Sequence, residues 1–258
     1  RAAHPHIPTR IQRVARLEIR RPKGNTHMSF RILTVCTGNI CRSPLAEQLL
    51  RDGLKDLPGV TVESAGTGAL VGSGMPQQAL ALAAQYGVTD AEAHISRQLT
   101  EDIARGAGLV LALSRDHRQR IVELAPSVVR RTFTLREFAH IASQVTAEDL
   151  EETYEAPGAS SGSRRSRREA LDNASDGAAA GASDQDIVAA ALAAAVGAAA
   201  PLRGVIAPLE NASDYDVVDP FRRSDETYQR SGRELVPAAE TIVAYLEGVV
   251  DWARARAS

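Results

Sequence analysis

The sequence predicts an α/β fold, a four-stranded parallel sheet flanked by helices. Two observations predict it. From Phe30 onward, short apolar runs alternate with segments whose apolar residues recur at helical spacing. Glycine and proline punctuate the boundaries between them. Strands that alternate with helices pair in parallel through right-handed crossovers, and ligands of such sheets sit at the carboxyl ends of the strands.

The elements follow in order. Arg31–Val35 (RILTV) is a short apolar strand that runs into a glycine-containing loop. Ser43–Lys55 carries apolar residues at helical spacing, with Pro44 near its start where proline is tolerated. Val60–Glu63 is a second strand, stopped by Ala65-Gly66-Thr67-Gly68. Pro76–Tyr86 is a helix that Gly87 terminates. Leu109–Leu113 is a third strand, and Arg115–Leu124 a helix ended by Pro126. Arg131–Thr134 is a fourth strand with a helix starting near Leu135. Ser224–Trp252 is helical, with a start or kink at Pro237.

Two segments depart from the alternation. Residues 143–209 hold acidic, Ser/Gly/Arg-rich and alanine-rich stretches in succession and are predicted to be a partly disordered insertion. Within it Ser160–Arg168 (SSGSRRSRR) is a solvated loop, and Asp184–Ala199 has the composition of an alanine-rich helix. Residues 1–27 are rich in arginine and hold one acid, Glu18. An organellar targeting peptide has that bias. The preferred alternative is a non-native or disordered N-terminal segment, with Met28 as the start. The domain then spans 28–258, interrupted at about 143–209.

The bulk numbers bound the function. The chain has 258 residues, 44% of them hydrophobic, enough for a core built mainly of Leu, Val, Ile and Ala because aromatics are only 4%. A formal net charge of -2 gives no polyanionic partner, so no nucleic acid is expected. No run of about 20 apolar residues exists, so no membrane insertion is expected. Two cysteines, Cys36 and Cys41, are too few for a secreted disulfide framework and fit a reducing, cytoplasmic setting.

The chemistry lies in the loop after the first strand. Val35–Pro44 reads V-C-T-G-N-I-C-R-S-P between a strand and a helix. Backbone N–H groups of Thr37, Gly38, Asn39, Ile40, Cys41, Arg42 and Ser43, with those of the helix start, can converge there on one anion. Gly38 gives the loop room to turn. The same amides favour the thiolate of Cys36, a strong nucleophile toward phosphorus. Arg42, six residues on, offers a planar fork for two phosphoryl oxygens. Ser43 can donate its hydroxyl to the Cys36 sulfur. The bland alternative, an inert buried cysteine with a surface arginine, suits a lone C-x5-R better than one set with a glycine between strand and helix. Cys41 is either a small packing residue or a redox partner that shields Cys36 as a reversible disulfide. Positive charge comes from Arg42 and the loop amides, so neither a metal nor a cofactor is expected.

This loop resembles the phosphate-binding loop of the low-molecular-weight protein-tyrosine phosphatases. Ser64-Ala65-Gly66-Thr67-Gly68 after the second strand, His94-Ile95-Ser96-Arg97-Gln98-Leu99-Thr100 with Ser96 in place of the usual alanine, and Asp219-Pro220-Phe221 resemble further motifs of that family in the same order. The resemblance covers about Met28–His140 and Tyr215–Trp252. It implies a phosphotyrosine phosphatase I-like fold and hydrolysis of phosphotyrosine through a phospho-cysteine. It further implies Cys36 as nucleophile, Arg42 as phosphate clamp and Asp219 as general acid. Asn39 shapes the loop, and His94 bonds to Asn39 from behind it. A carboxyl that protonates the leaving phenolate and then activates water is what the chemistry requires. Asp214 and Asp216 are alternatives that lack the following proline.

Three activities share the fold. Arsenate reductases generally need further cysteines, which this chain lacks. Arginine phosphatases resemble C-T-G-N-T-C-R-S-P, with threonine where Ile40 stands, and an apolar Ile40 suits a phenyl ring. Gly68-Ala69-Leu70-Val71-Gly72 and Asp219–Ser224 resemble bacterial members that act on tyrosine kinases of exopolysaccharide export. Leu70 and Phe221 are then the substrate walls and phosphotyrosine proteins, such kinases among them, the partners. A non-catalytic phosphotyrosine-binding module is the alternative of another class.

Overall fold

A computed structural model describes residues 28–157 and 182–257. Its sheet has four parallel strands, β1 (Phe30–Cys36), β2 (Val60–Gly66), β3 (Leu109–Ala112) and β4 (Thr132–Thr134), in the order β2-β1-β3-β4. The chain leaves β1 in one direction for β2 and returns past it to β3. The carboxyl end of β1 is thus the switch point of the sheet, where an open α/β fold presents its ligand crevice. β3 (LVLA) is buried throughout, as a continuous apolar run in a parallel sheet covered on both faces must be.

Helices cover both faces. On one face lie α1 (Arg42–Gly53), α2 (Gln77–Gln85), α5 (Leu135–Ala142), α6 (Ala147–Thr153), α7 (Asp184–Leu202) and α8 (Asp225–Ala257), over the larger apolar cluster. On the other, α3 (Glu101–Arg105) and α4 (Arg115–Leu124) close over a smaller one. β1 serves both: Phe30 and Ile32 point into the larger cluster, Leu33 and Val35 into the smaller. Period-two alternation on a strand buried on both sides produces this division.

Of the stretch predicted to be an insertion, residues 158–181 lie outside the described residues, Ser160–Arg168 among them. So do residues 1–27. The described part of the stretch forms helices and turns. Thr146 caps α6 and Ser183 caps α7, each in a reciprocal capping box with the Asp three residues on. α7 is a core element. Val188, Leu192 and Val196 are buried with Ala189, Ala191, Ala194 and Ala195, and Tyr245 of α8 donates to the Ala195 carbonyl at 2.9 Å. Alanine reads as low complexity in a sequence, yet its small side chain lets two helix backbones approach closely. α7 is long and apolar enough to cross a bilayer by length and composition, but it is seated among α5, α6, α8 and β1.

α8 starts well before Pro237, which rules out a helix start at that proline. It runs unbroken through Pro237. Pro237 lies on the exposed side of the helix, so the Arg233 carbonyl that loses its N–H partner is open to water.

Candidate active site

Between β1 and α1 the loop is held by its carbonyls. Those of Cys36, Thr37 and Gly38 accept from the amides of Thr67, Gly68 and Leu70 at 2.9, 3.0 and 3.0 Å. That of Asn39 lies 2.7 Å from His94 Nε2. In a trans peptide the N–H points opposite to the C=O. With these carbonyls tied outward, the amides of Thr37, Gly38, Asn39 and Ile40 face inward. α1 begins at Arg42 without a side-chain cap, leaving its first amides open to the same spot.

The turn itself is made by Asn39, in the left-handed region with φ of 54°. Asparagine tolerates that conformation better than other side chains. This corrects the expectation for Gly38, which does not carry a positive φ. The glycine that the loop needs for close approach is Gly66: a Cβ there would meet the Thr37 carbonyl oxygen at 2.4 Å.

Asn39 is fully buried. Its Nδ2 donates to Ser43 Oγ at 3.0 Å and Ser64 Oγ at 2.8 Å, and its Oδ1 accepts from Arg97 N at 2.8 Å. Ser64 Oγ donates to Glu47 Oε2 at 2.5 Å, with His94 Nδ1 4.0 Å from the same oxygen. Ser43 Oγ lies 3.0 Å from Cys36 Sγ. A chain of hydrogen bonds thus runs from the sulfur through Ser43, Asn39 and Ser64 to a carboxylate of α1. Ser43, Asn39 and His94 lie where the resemblance implies, although His94 meets Asn39 at its backbone. Glu47 was not anticipated, because a glutamate inside a helical segment looks like a solvated face residue.

Arg42 is buried, 6% exposed, and folds across the loop. Its Nη1 donates to the Val217 carbonyl at 3.1 Å and its Nη2 pairs with Asp219 Oδ2 at 2.8 Å. Its Nε is buried and has no partner among the described residues, a donor left over for an anion. The Val217 amide bonds to the Leu113 carbonyl beyond β3 at 2.9 Å, and Val218 N donates to Glu234 of α8 at 2.8 Å. The 217–221 loop is therefore pinned from two sides. Asp219 is exposed at the mouth while Pro220 behind it is buried. Asp216 is clamped by Arg115, Nη2 to Oδ2 at 2.9 Å, and Asp214 Oδ2 accepts from Asn211 N at 3.0 Å. Of the three aspartates only Asp219 lines the pocket.

That pocket has a volume of about 190 Å³. Cys36, Thr37, Gly38, Ile40, Cys41, Arg42, Leu70, Asp219 and Phe221 all line it. Leu70 is exposed, and its carbonyl accepts from the hydroxyl of Ser96. The departure from alanine at 96 therefore fastens the loop that carries Leu70. The Arg222 guanidinium lies over the Phe221 ring, 5.0 Å from its centroid.

The two cysteines are free and differ. Burial pushes the Cys41 thiol up to about 12, opposed by its hydrogen bond to Tyr228. Cys41 Sγ lies 3.8 Å from the Tyr228 hydroxyl. It remains a thiol at neutral pH. No cluster of potential metal ligands occurs among the described residues.

His117, on α4, was not singled out in the sequence because a lone histidine in a helical segment carries no motif. It is buried and lies 2.8 Å from Thr37 Oγ1. Burial, followed by the fields of Arg42 and Arg120, lowers its pKa from 6.5 to about 3. The unfolded chain therefore takes up a proton here that the folded chain refuses. Stability is fully present above about pH 6.5 and falls as pH drops toward 3. In chemical denaturation at pH 7 and pH 5, His117→Gln will lose less stability between the two than the wild type, by about 1–2 kcal/mol. An equal loss in both proteins would refute the buried neutral imidazole.

Comparison with known proteins agrees with this geometry. Residues 31–166 match the family model described as low molecular weight phosphotyrosine protein phosphatase. The low molecular weight protein-tyrosine-phosphatase Etp of Escherichia coli (strain K12) is 46% identical over 101 residues, 39% of this chain. The chain spans 66% of Etp's length, just under two thirds. A protein-arginine-phosphatase of Geobacillus stearothermophilus is 44% identical over 111 residues, 43% of this chain and 72% of that protein. The solved YwlE arginine phosphatase from the same species superposes with a TM-score of 0.51 at 27% identity, covering 85% of this chain and 94% of that one. The tyrosine phosphatase Wzb from Escherichia coli K30, solved with sulphate, has the same fold at 23% identity and a TM-score of 0.51, covering 84% and 98% of the two chains. With the loop, its supporting layer and the late Asp-Pro-Phe segment meeting at one pocket, and a family model spanning more than half of the sequence, this chain belongs to the low molecular weight phosphotyrosine protein phosphatase family.

Proposed function

We propose that the chain is a protein-tyrosine phosphatase. The observation that carries this reading is the convergence of the Cys36 sulfur, the Arg42 guanidinium and the Asp219 carboxyl on one small pocket. In the proposed reaction the Cys36 thiolate attacks phosphorus, forming the S–P bond as the P–O bond to the tyrosyl oxygen breaks. Asp219 gives its proton to the departing phenolate. It then takes a proton from water that attacks the phospho-cysteine, and the S–P bonding pair returns to sulfur. Arg42 and the loop amides hold the equatorial oxygens through both steps. Ser43 supports the sulfur as leaving group. Cys41, lining the same pocket, is the proposed disulfide partner that protects Cys36 from over-oxidation.

Phosphotyrosine is favoured over phosphoarginine by the apolar walls. Ile40, Leu70 and Phe221 line the pocket and offer an aryl ring contact surface, whereas a guanidinium would find no acceptor on Ile40. The similarity to both tyrosine and arginine phosphatases makes this the point to test. Matched peptides bearing phosphotyrosine, phosphoarginine or phosphoserine are compared by kcat/KM. Phosphotyrosine will be preferred by about tenfold or more. Equal rates on phosphoarginine would overturn the substrate assignment. Tight binding of phosphotyrosine without any turnover would instead make the chain a recognition module.

A further inference from the structure

Three side chains form a row beneath one edge of the pocket. Ser114 Oγ lies 2.8 Å from His117 Nδ1, and His117 Nε2 lies 2.8 Å from Thr37 Oγ1. Ser114 is half-buried, His117 is buried and Thr37 is exposed and lines the pocket. The imidazole is held neutral by burial and by the neighbouring Arg42 and Arg120. It therefore carries a single N–H, and the row has two proton arrangements.

The N-cap of α4 decides between them. Ser114 Oγ already accepts the backbone amide of His117 at 3.3 Å. With the ring proton on Nδ1, Ser114 would accept twice and its own proton would find no acceptor among the described residues. Thr37 would also donate inward, to the ring. With the proton on Nε2, Ser114 donates to Nδ1 and the ring donates to Thr37. Every buried donor is then used, as buried polar groups require, and the one surplus hydroxyl proton sits on exposed Thr37. An anion in the pocket favours the same arrangement, because it turns an O–H toward negative charge.

We infer that His117, itself oriented by Ser114, fixes the Thr37 hydroxyl as a hydrogen-bond donor to the phosphoryl group seated on the loop. Thr37 is thereby a substrate-contacting residue through its side chain as well as its amide, and His117 and Ser114 are positioning residues. This deepens the phosphatase reading and rests on the loop being a phosphoryl site.

Calorimetric titration of the full chain with inorganic phosphate tests it without turnover. Thr37→Val and His117→Phe will each weaken binding about tenfold, the effect of one hydrogen bond to a charged acceptor. Thr37→Ser, which keeps the hydroxyl, and His117→Gln, whose amide can still donate to residue 37, will stay within about threefold of wild type. The double variant Thr37→Val/His117→Phe will bind no more weakly than either single one, because the two losses are the same bond. Nitrogen NMR of the wild type with phosphate will place the His117 proton on Nε2, a readout that does not depend on any variant folding. Unchanged affinity in Thr37→Val, multiplying losses in the double variant, or a proton on Nδ1 would each overturn the relay. An enzyme inert toward aryl phosphates that still shows the tenfold effect would refute the phosphatase reading alone.

Discussion

Cys36→Ser will abolish hydrolysis of p-nitrophenyl phosphate, by about 10⁵-fold or more in kcat, while inorganic phosphate still binds. The two atoms at stake differ little in size, and Cys36 is buried at the end of β1, so the fold has little to lose. What is lost is an ionisable nucleophile. A serine hydroxyl in that place needs an adjacent general base, and the atom beside it is another hydroxyl, Ser43 Oγ at 3.0 Å. A drop of that size corresponds to about 7 kcal/mol of activation free energy. Steady-state rates with calorimetric phosphate titration of the same preparation separate lost chemistry from lost binding. Retention of even a hundredth of wild-type turnover would remove Cys36 from the reaction.

Asp219→Asn will lower kcat by about 10²–10³-fold for phosphotyrosine peptides and far less for aryl phosphates whose leaving phenol is strongly acidic. A proton donor matters in proportion to how badly the departing oxygen needs a proton. The change also removes the ion pair from Asp219 to Arg42, 2.8 Å long across the pocket mouth. That pair is more than a third exposed on the aspartate side, so its contribution to stability is small. Asp216→Asn is the control. It loosens the clamp on Arg115 and leaves the dependence on leaving group as in the wild type. A uniform loss across all leaving groups for Asp219→Asn would assign the residue to binding.

Most of the fold was visible in the sequence because its signals are local. The strands are short apolar runs, and the helices around them have regular periodicity bounded by glycine or proline. α7 was harder. Its core role depends on the close approach of α6 and α8, which composition does not encode, so alanine-rich sequence and arginine-rich neighbour merged into one apparent insertion. The pocket was legible to the extent that it is contiguous: Cys36 to Ser43 form one motif. Asp219, Leu70 and Phe221 were reached through resemblance, because nothing local ties them to a loop so distant in the chain. Glu47 and His117 escaped notice, and Ser96 stood out only as a departure from alanine. Each acts through a contact made only after folding, Glu47 with Ser64, Ser96 with the Leu70 carbonyl, His117 with Thr37.

The carbonyls that Thr67, Gly68, Leu70 and His94 hold outward have a kinetic and thermodynamic consequence. A cradle fastened from two other stretches of chain has little backbone freedom left to forfeit on capturing an oxyanion. Arrival is then governed by encounter and by how readily the Asp219 carboxylate lets go of the guanidinium. Tetrahedral anions of similar charge will differ in residence time far more than in rate of capture.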